Sequence, residues 1–371
     1  MHPMRSVAVV WGLLVAASVA AEEAPGVGSW AGTLGGSRVH LCFDRYGGAE
    51  MYDLGSWRPR RLVAVDATSE DALLDGLARG ELDLWEIEGP RFEPAPPRGR
   101  WSLRLQEDAW QGEWREASGG AGLPVTLRRL PRAANAGPEC DAAYYQPIAE
   151  AVVIRREPAS FAGQAYETWS TADAVAMAPL NGAPGAAALQ AAAEAWLRER
   201  AVFAFQCRAG RGSVGDALGA TLEPVLWTPR WLVLRDGLPD TYCGGAHGSF
   251  STTYQVWDLP RGATVDGWTW IVGGESALHG GDDAESASPL HQALMRHHPR
   301  NQLDDDCAEV IGHMSVAAPY PLPEGLQFPT TFSHAMRACG EEVLIPWREA
   351  EPFLSAAGRA LAQEFAGAAP R

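Results

Sequence analysis

The chain contains no lysine: all 30 of its basic residues are arginine. A physical need at individual positions would not remove every lysine, so we read this as the base composition of the genome. No Cys-x-x-Cys pair occurs among the six cysteines, which argues against a redox motif or zinc ligands. Beyond residue 21 no stretch reaches about 18 uninterrupted apolar residues, so no membrane-spanning helix is expected in the mature chain. His-Glu-x-x-His, Asp-x-Asp-x-Asp-Gly and Gly-x-Ser-x-Gly are all missing. With them go the familiar signatures of zinc, calcium and serine-hydrolase sites. Positive charge is also in short supply. A formal net charge of −16 argues against nucleic acid or anionic membranes as partners and favours encounter with a basic one.

What is present points to an exported, multi-domain protein. At 371 residues the chain is too long for one ordinary core, so two or three domains are expected. Met1 to Ala21 has the three parts of an export signal. Arg5 supplies the positive charge, Val7–Ala17 the short apolar run, and Ser18–Ala20 or Val19–Ala21 the small-x-small cleavage pattern. The expected location is therefore periplasmic or extracellular. In an oxidising compartment Cys42, Cys140, Cys207, Cys243, Cys307 and Cys339 read as three disulfides, for which 15 connectivities are open.

The fold class read from the pattern is α+β. Residues 28–130 carry short alternating stretches separated by Gly or Pro turns, at the spacing of an antiparallel meander, small barrel or sandwich. Trp30-x-Gly-x-Leu34 and Trp110-x-Gly-x-Trp114 reuse one strand motif. A Pro- and Ala-rich linker is expected over 131–139, a small α+β domain over 140–220 and a larger one over 221–366. The latter two are expected as an antiparallel sheet packed by two or three helices. Strands are expected at Ala149–Arg155, Phe161–Ser170, Thr221–Trp227, Trp231–Leu234, Ser249–Leu259 and around Trp268–Val272. The apolar spacing predicts helices over Ala186–Phe205, Pro289–His298 with Ser288 as N-cap, and Trp347–Ala366.

The most distinctive segment is Thr241–Leu259, where Gly244-Gly-Ala-His247 runs into an alternating strand. Tyr242, Gly244, Gly245, His247 and Ser249 are the candidate ligand contacts. The plainer reading is that the glycines build a tight turn and His247 bonds a backbone carbonyl. No carboxylate or nucleophile is tied to His247 by spacing, so no catalytic residue is assigned. His291, His297, His298, His313 and Asp304–Asp306 could be assembled into a metal site, but Pro299 ends the helix and the acidic run suits a helix N-terminus better. Gly210-Arg-Gly-Ser-Val-Gly215 matches the dinucleotide fingerprint only in letters, because Gly219 and Pro224 leave no room for the helix it needs. No metal and no cofactor is expected. Trp57, Trp85 and Trp110 could serve as aromatic platforms, although small β-domains need such side chains for their cores.

The order from Thr221 is strand, Gly-Gly-Ala-His turn, long strand, helix and Gly325-Leu-Gln-Phe328, closing on Cys339-Gly-Glu-Glu-Val-Leu-Ile-Pro-Trp347. It resembles the C-terminal domain of RsiV-type lysozyme-sensing anti-sigma factors. Ala149–Cys207 is similar to the smaller domain that precedes it there and in some peptidoglycan deacetylases, so the resemblance spans roughly 149–360. It places the Cys307 segment beside the strand entering Ile345, which implies a Cys307–Cys339 bridge. Cys207–Cys243 is then expected within the C-terminal region, leaving Cys42 with Cys140. The sigma-binding segment and membrane helix of those proteins have no counterpart here, nor does the deacetylases' catalytic domain. What the resemblance implies is an exported, non-catalytic binding protein of the cell envelope, with a lysozyme-like protein or wall glycan as ligand. The alternative is an envelope hydrolase or deacetylase using His247, with a metal from the His/Asp segment.

Overall fold

The structure is a computed structural model that describes residues 24–65, 71–88, 95–131, 140, 142–211, 218–241, 249–279, 288–299, 307, 314–331 and 339–368. The expected export signal and most of the expected linker lie outside the described residues. The chain divides into two compact units, with the main change-over between Tyr144 and Tyr145 and the short stretches Trp57–Pro59 and Glu88–Ala95 assigned to the second.

Eight strands make the first unit: β1 (Gly28–Leu34), β2 (Ser37–Phe43), β3 (Ala49–Asp53), β4 (Pro59–Ala64), β5 (Glu81–Ile87), β6 (Pro97–Gln106), β7 (Ala109–Glu116) and β8 (Leu123–Arg129). Each pairs with the next, and β8 returns to β1 with Leu34 opposite Val125, so the meander closes into a barrel. Closure removes the exposed sheet edges that would otherwise template aggregation. The period-2 alternation sends Trp30, Leu41, Phe43, Met51, Leu84, Trp101, Trp110 and Leu127 inward, all under 2% exposed. An eight-stranded barrel is just wide enough for side chains to fill it, and here large aromatics do so. The helix α1 (Ala72–Arg79), not anticipated from the sequence, buries Leu73 and Leu77 against this core. It stops at Gly80, whose φ of 71° is the left-handed cap that glycine adopts at no steric cost.

On the outside of β2, His40 and Cys42 are also buried. A disulfide joins Cys42 to Cys140, and the Tyr52 hydroxyl donates to the Tyr144 carbonyl at 2.5 Å. This part of the chain opens α2 (Ala142–Glu150), a second unanticipated helix, with Pro147 inside it.

In the second unit seven strands form one sheet, in the order β15–β14–β13–β12–β11–β10–β9. These are β9 (Arg155–Phe161), β10 (Gln164–Ser170), β11 (Ala174–Pro179), β12 (Ala220–Trp227), β13 (Trp231–Thr241), β14 (Ser249–Asp258) and β15 (Ala263–Val265). All pairs are antiparallel except β11–β12, so the expected antiparallel sheet contains one parallel step. That step needs a crossover, and the long helix α3 (Ala186–Arg211) supplies it. Through Leu189, Ala193, Trp196, Leu197 and Ala204 it helps build one core with Leu222, Leu232 and Leu234.

A second core gathers Trp231, Val233 and Val256 with α4 (Pro289–His297) and the small sheet of β17 (Tyr320–Leu322), β18 (Gly325–Phe328) and β20 (Val343–Pro346). The pair β16 (Ser315–Val316) and β19 (Thr330–Thr331) lies beside it in sequence. Ser288 caps α4 as expected, its hydroxyl accepting from His291 N at 3.1 Å. Cys307 and Cys339 are bridged, and Cys207 is also disulfide-bonded.

Four sequence expectations need correction. Ala149–Arg155 is not a strand, because Ala149 and Glu150 end α2 and pairing begins only at Arg155. Phe161–Ser170 is not continuous, because Ala162 and Gly163 both take positive φ and turn the chain between β9 and β10. Trp268–Val272 is mainly a 3₁₀ turn over Gly267–Trp270, capped by Asp266 accepting from Trp268 N at 3.0 Å. The last helix is broken: α5 (Trp347–Ala350) passes through a 3₁₀ turn at Glu351–Phe353, with Pro352 inside it, before α6 (Ala356–Ala368).

Candidate functional site

Strand register decides which side chains share one end of the second unit's sheet. β13 and β14 pair from Trp231 opposite Asp258 as far as Thr241 opposite Ser249. The Gly-Gly-Ala-His segment therefore connects two paired strand ends. Tyr242, Cys243, Gly244, Gly245 and His247 themselves lie outside the described residues; Ser249 opens β14. Following the ladder inward, Thr252 opposes Gly237, Gly237 opposes Thr221, Thr221 opposes Val175, Val175 opposes Ser170 and Ser170 opposes Arg155. One row thus crosses six strands at the end from which the hairpin leaves. β10 and β13 are three strand spacings apart, roughly 14 Å.

At that end the second unit holds a cavity of about 600 Å³, lined among others by Ile148, Val152, Ala201 and Phe205 with Arg155, Ser170, Asp173 and Arg208. Such a volume suits a small ligand group. Asp173 sits in the turn between β10 and β11 and is 6% exposed. The Thr171 hydroxyl shapes that turn by accepting from Asp173 N and Ala174 N at 3.2 and 3.1 Å. Arg208, near the end of α3, donates to both Asp173 oxygens at 2.9 and 3.3 Å, so this carboxylate is a neutralised, positioned group. Arg155 is exposed and makes no ion pair among the described residues.

Two residues further along the strands, the row Glu223–Arg235–Tyr254 carries a second polar cluster. Arg235 Nε donates to Glu223 at 3.1 Å. Tyr254 and Tyr320 stack with centroids 4.2 Å apart, and both donate to Glu342, Tyr320 at 2.5 Å. Burial, followed by the neighbouring Glu342 carboxylate, pushes both phenols far above their ordinary range. They stay protonated and act as fixed donors that orient Glu342. On the opposite sheet face Asp236 accepts from Trp196 Nε1 at 2.8 Å and pairs with Arg200 at 3.1 Å.

The histidines proposed as metal ligands do not come together among the described residues, where no group of three His, Cys, Asp or Glu has the arrangement to hold a metal. His297 pairs with Glu349 at 2.9 Å, and His298 is buried. His313 and Asp304–Asp306 lie outside the described residues, as does most of the glycine fingerprint, whose Gly210 and Arg211 end α3. Of the three aromatic platforms Trp110 is barrel core, while Trp85 faces outward under Arg100 at 5.7 Å. Trp57 is half-buried at a positive φ of 55°.

Sequence reasoning missed Asp173, Arg208 and Arg155. No spacing links Asp173 to a partner 35 residues on; only the crossover through α3 brings the two together. No helix among the described residues is long and apolar enough to cross a membrane. No protein-family model and no curated protein matches the chain. Two solved structures are similar to part of it: a member of the DUF3298 family from Bacteroides fragilis NCTC 9343 and a DUF3298 family protein from Pseudomonas aeruginosa PAO1. The first is 15% identical over 58% of this chain and 95% of that one, the second 12% identical over 55% and 93%, each with a TM-score of 0.37.

Proposed function

We propose that this is an exported, non-catalytic binding protein of the cell envelope, whose ligand is a lysozyme-like protein or a wall glycan. The observation that carries the reading is the open cavity over β9 and β10, at the same end of the sheet as the strand ends that the Gly-Gly-Ala-His segment joins, which begin three strands further along. The likeness of that segment and its flanks to the exported domains of RsiV-type proteins supports the choice of ligand. Disulfides at Cys42–Cys140 and Cys307–Cys339 support a periplasmic or extracellular location, since such bonds persist in oxidising compartments. A formal charge of −16 favours a basic protein over an acidic polymer.

The test mixes the purified full-length protein with lysozyme and, separately, with soluble peptidoglycan fragments at physiological salt, read by calorimetry. Binding of either supports the proposal. Binding of neither overturns it.

A further inference from the structure

We infer that the Asp173–Arg208 cavity captures the free carboxylate at the end of a short apolar peptide. The inference rests on the reading that this sheet end is the ligand-binding end, and adds the chemistry of what enters it. Its floor is apolar, from Ile148, Ala201 and Phe205, and Val153 stands 76% exposed at its rim. A floor of this kind takes small aliphatic side chains and gains by removing them from water.

The charge at the mouth sets the polar end of the ligand. Asp173 neutralises Arg208 through two hydrogen bonds, which leaves the cavity one net positive charge, on Arg155. Arg155 opposes Ser170 across the β9–β10 ladder, and both line the cavity. Neither the Arg155 guanidinium nor the Ser170 hydroxyl has a hydrogen-bond partner among the described residues. A planar guanidinium beside a hydroxyl donor matches one carboxylate, to which Arg can donate two parallel bonds. A phosphate dianion would leave one charge unmatched against the nearby Asp173. Terminal carboxylates on small apolar residues occur both on wall stem peptides, which end in D-alanine, and on protein C-termini.

The experiment titrates the full-length protein with N-acetyl-alanyl-alanine and with its C-terminal amide, each as the D,D and the L,L form, and with inorganic phosphate. The free acid is expected to bind at least about tenfold more tightly than the amide, the size of a lost charge-assisted hydrogen bond. Preference for the D,D form assigns the ligand to the wall peptide, and preference for the L,L form to a protein terminus; either supports the inference. Arg155→Ala should erase the preference for acid over amide, and Arg155→Lys should restore part of it. Because Arg155 is exposed, both variants should keep the wild-type circular dichroism spectrum. Equal binding of acid and amide, binding of neither, or tighter binding of phosphate overturns the inference. If lysozyme or peptidoglycan fragments bind wild type and Arg155→Ala alike, the carboxylate site fails while the proposed function stands.

Discussion

Arg60 Nη1 lies 3.1 Å from Glu86 Oε1 in the barrel wall, and the glutamate is 1% exposed. Its other oxygen accepts from the indoles of Trp101 and Trp114 at 3.0 and 2.8 Å. A carboxylate among leucines and tryptophans survives there because two indoles donate to one oxygen and the Arg60 cation stands beside the other.

Removing the cation should therefore cost more than removing the pair. Arg60→Ala leaves a buried carboxylate with two neutral donors and a distant Arg98, 4.0 Å away. We expect a loss of about 3 kcal/mol or more, in the range for breaking a buried pair. The double variant Arg60→Ala/Glu86→Leu should lose less than Arg60→Ala alone. Urea denaturation followed by tryptophan fluorescence reports both. A single variant as stable as wild type would show that water, not Arg60, solvates Glu86.

His40 gives the barrel a pH response of defined sign. Its ring stacks on Tyr52 at 5.2 Å and lies 6.4 Å from Tyr144. Burial, with the Arg38 charge, holds its pKa below the ordinary 6.5, opposed by a backbone bond to Tyr144. Well above pH 6.5 the imidazole is neutral folded or unfolded and adds no pH dependence. As pH falls through 6.5 the unfolded chain takes the proton first, so stability drops until the folded state also binds it. The denaturation midpoint should fall between pH 7.5 and 5 in wild type and fall less in His40→Phe. An equal fall in both would place the response on other groups.

Much of the fold was legible because the barrel obeys a local rule. Strands such as β5 and β6 alternate cleanly, burying Leu82, Leu84, Trp101 and Leu103, and that period is what marks the region as a meander or barrel. α2 escaped notice because its apolar spacing is poor and Pro147 interrupts it. α1 is only eight residues long, too short for periodicity to stand out. The parallel step between β11 and β12 was hidden, since direction is set by the α3 crossover and not by composition. Of the site, the Gly244-Gly-Ala-His247 segment stands out in the sequence but lies outside the described residues, whereas Asp173 and Arg208 are joined by tertiary packing that no spacing encodes.

The repeated Trp-x-Gly motif has a steric cause. A Cβ added to Gly32 would lie 1.9 Å from the Thr126 carbonyl oxygen, and one added to Gly112 would lie 1.9 Å from that of Ser102. Both glycines let a neighbouring strand approach more closely than any side chain permits. Gly32→Ala and Gly112→Ala should each cost about 2–3 kcal/mol, the scale of overpacking with backbone shifts. Gly367→Ala, near the end of α6 with nothing within 4 Å, should gain up to about 1 kcal/mol from better helix propensity. Thermal melts of the three variants decide the matter. A neutral Gly112→Ala would mean that the barrel wall yields freely at β6–β7.

The two bridges differ in how much chain they constrain. Cys42–Cys140 closes 98 residues and Cys307–Cys339 closes 32. In the chain-entropy model such loops stabilise by about 4.7 and about 3.7 kcal/mol respectively. Location should widen the gap, because the first bridge also pins Tyr144, whose carbonyl takes the Tyr52 hydroxyl and whose ring packs on His40. Cys42→Ala/Cys140→Ala should therefore lower the denaturation midpoint more than Cys307→Ala/Cys339→Ala, and should expose His40 to solvent. Amide exchange in β2 and β3 would rise with it, while exchange in β18 and β20 would respond only to loss of the second bridge. If removing Cys42–Cys140 leaves β2 and β3 protected, the disulfide acts on the unfolded chain alone, and the hydrogen bond to Tyr144 is enough to hold the cover over His40.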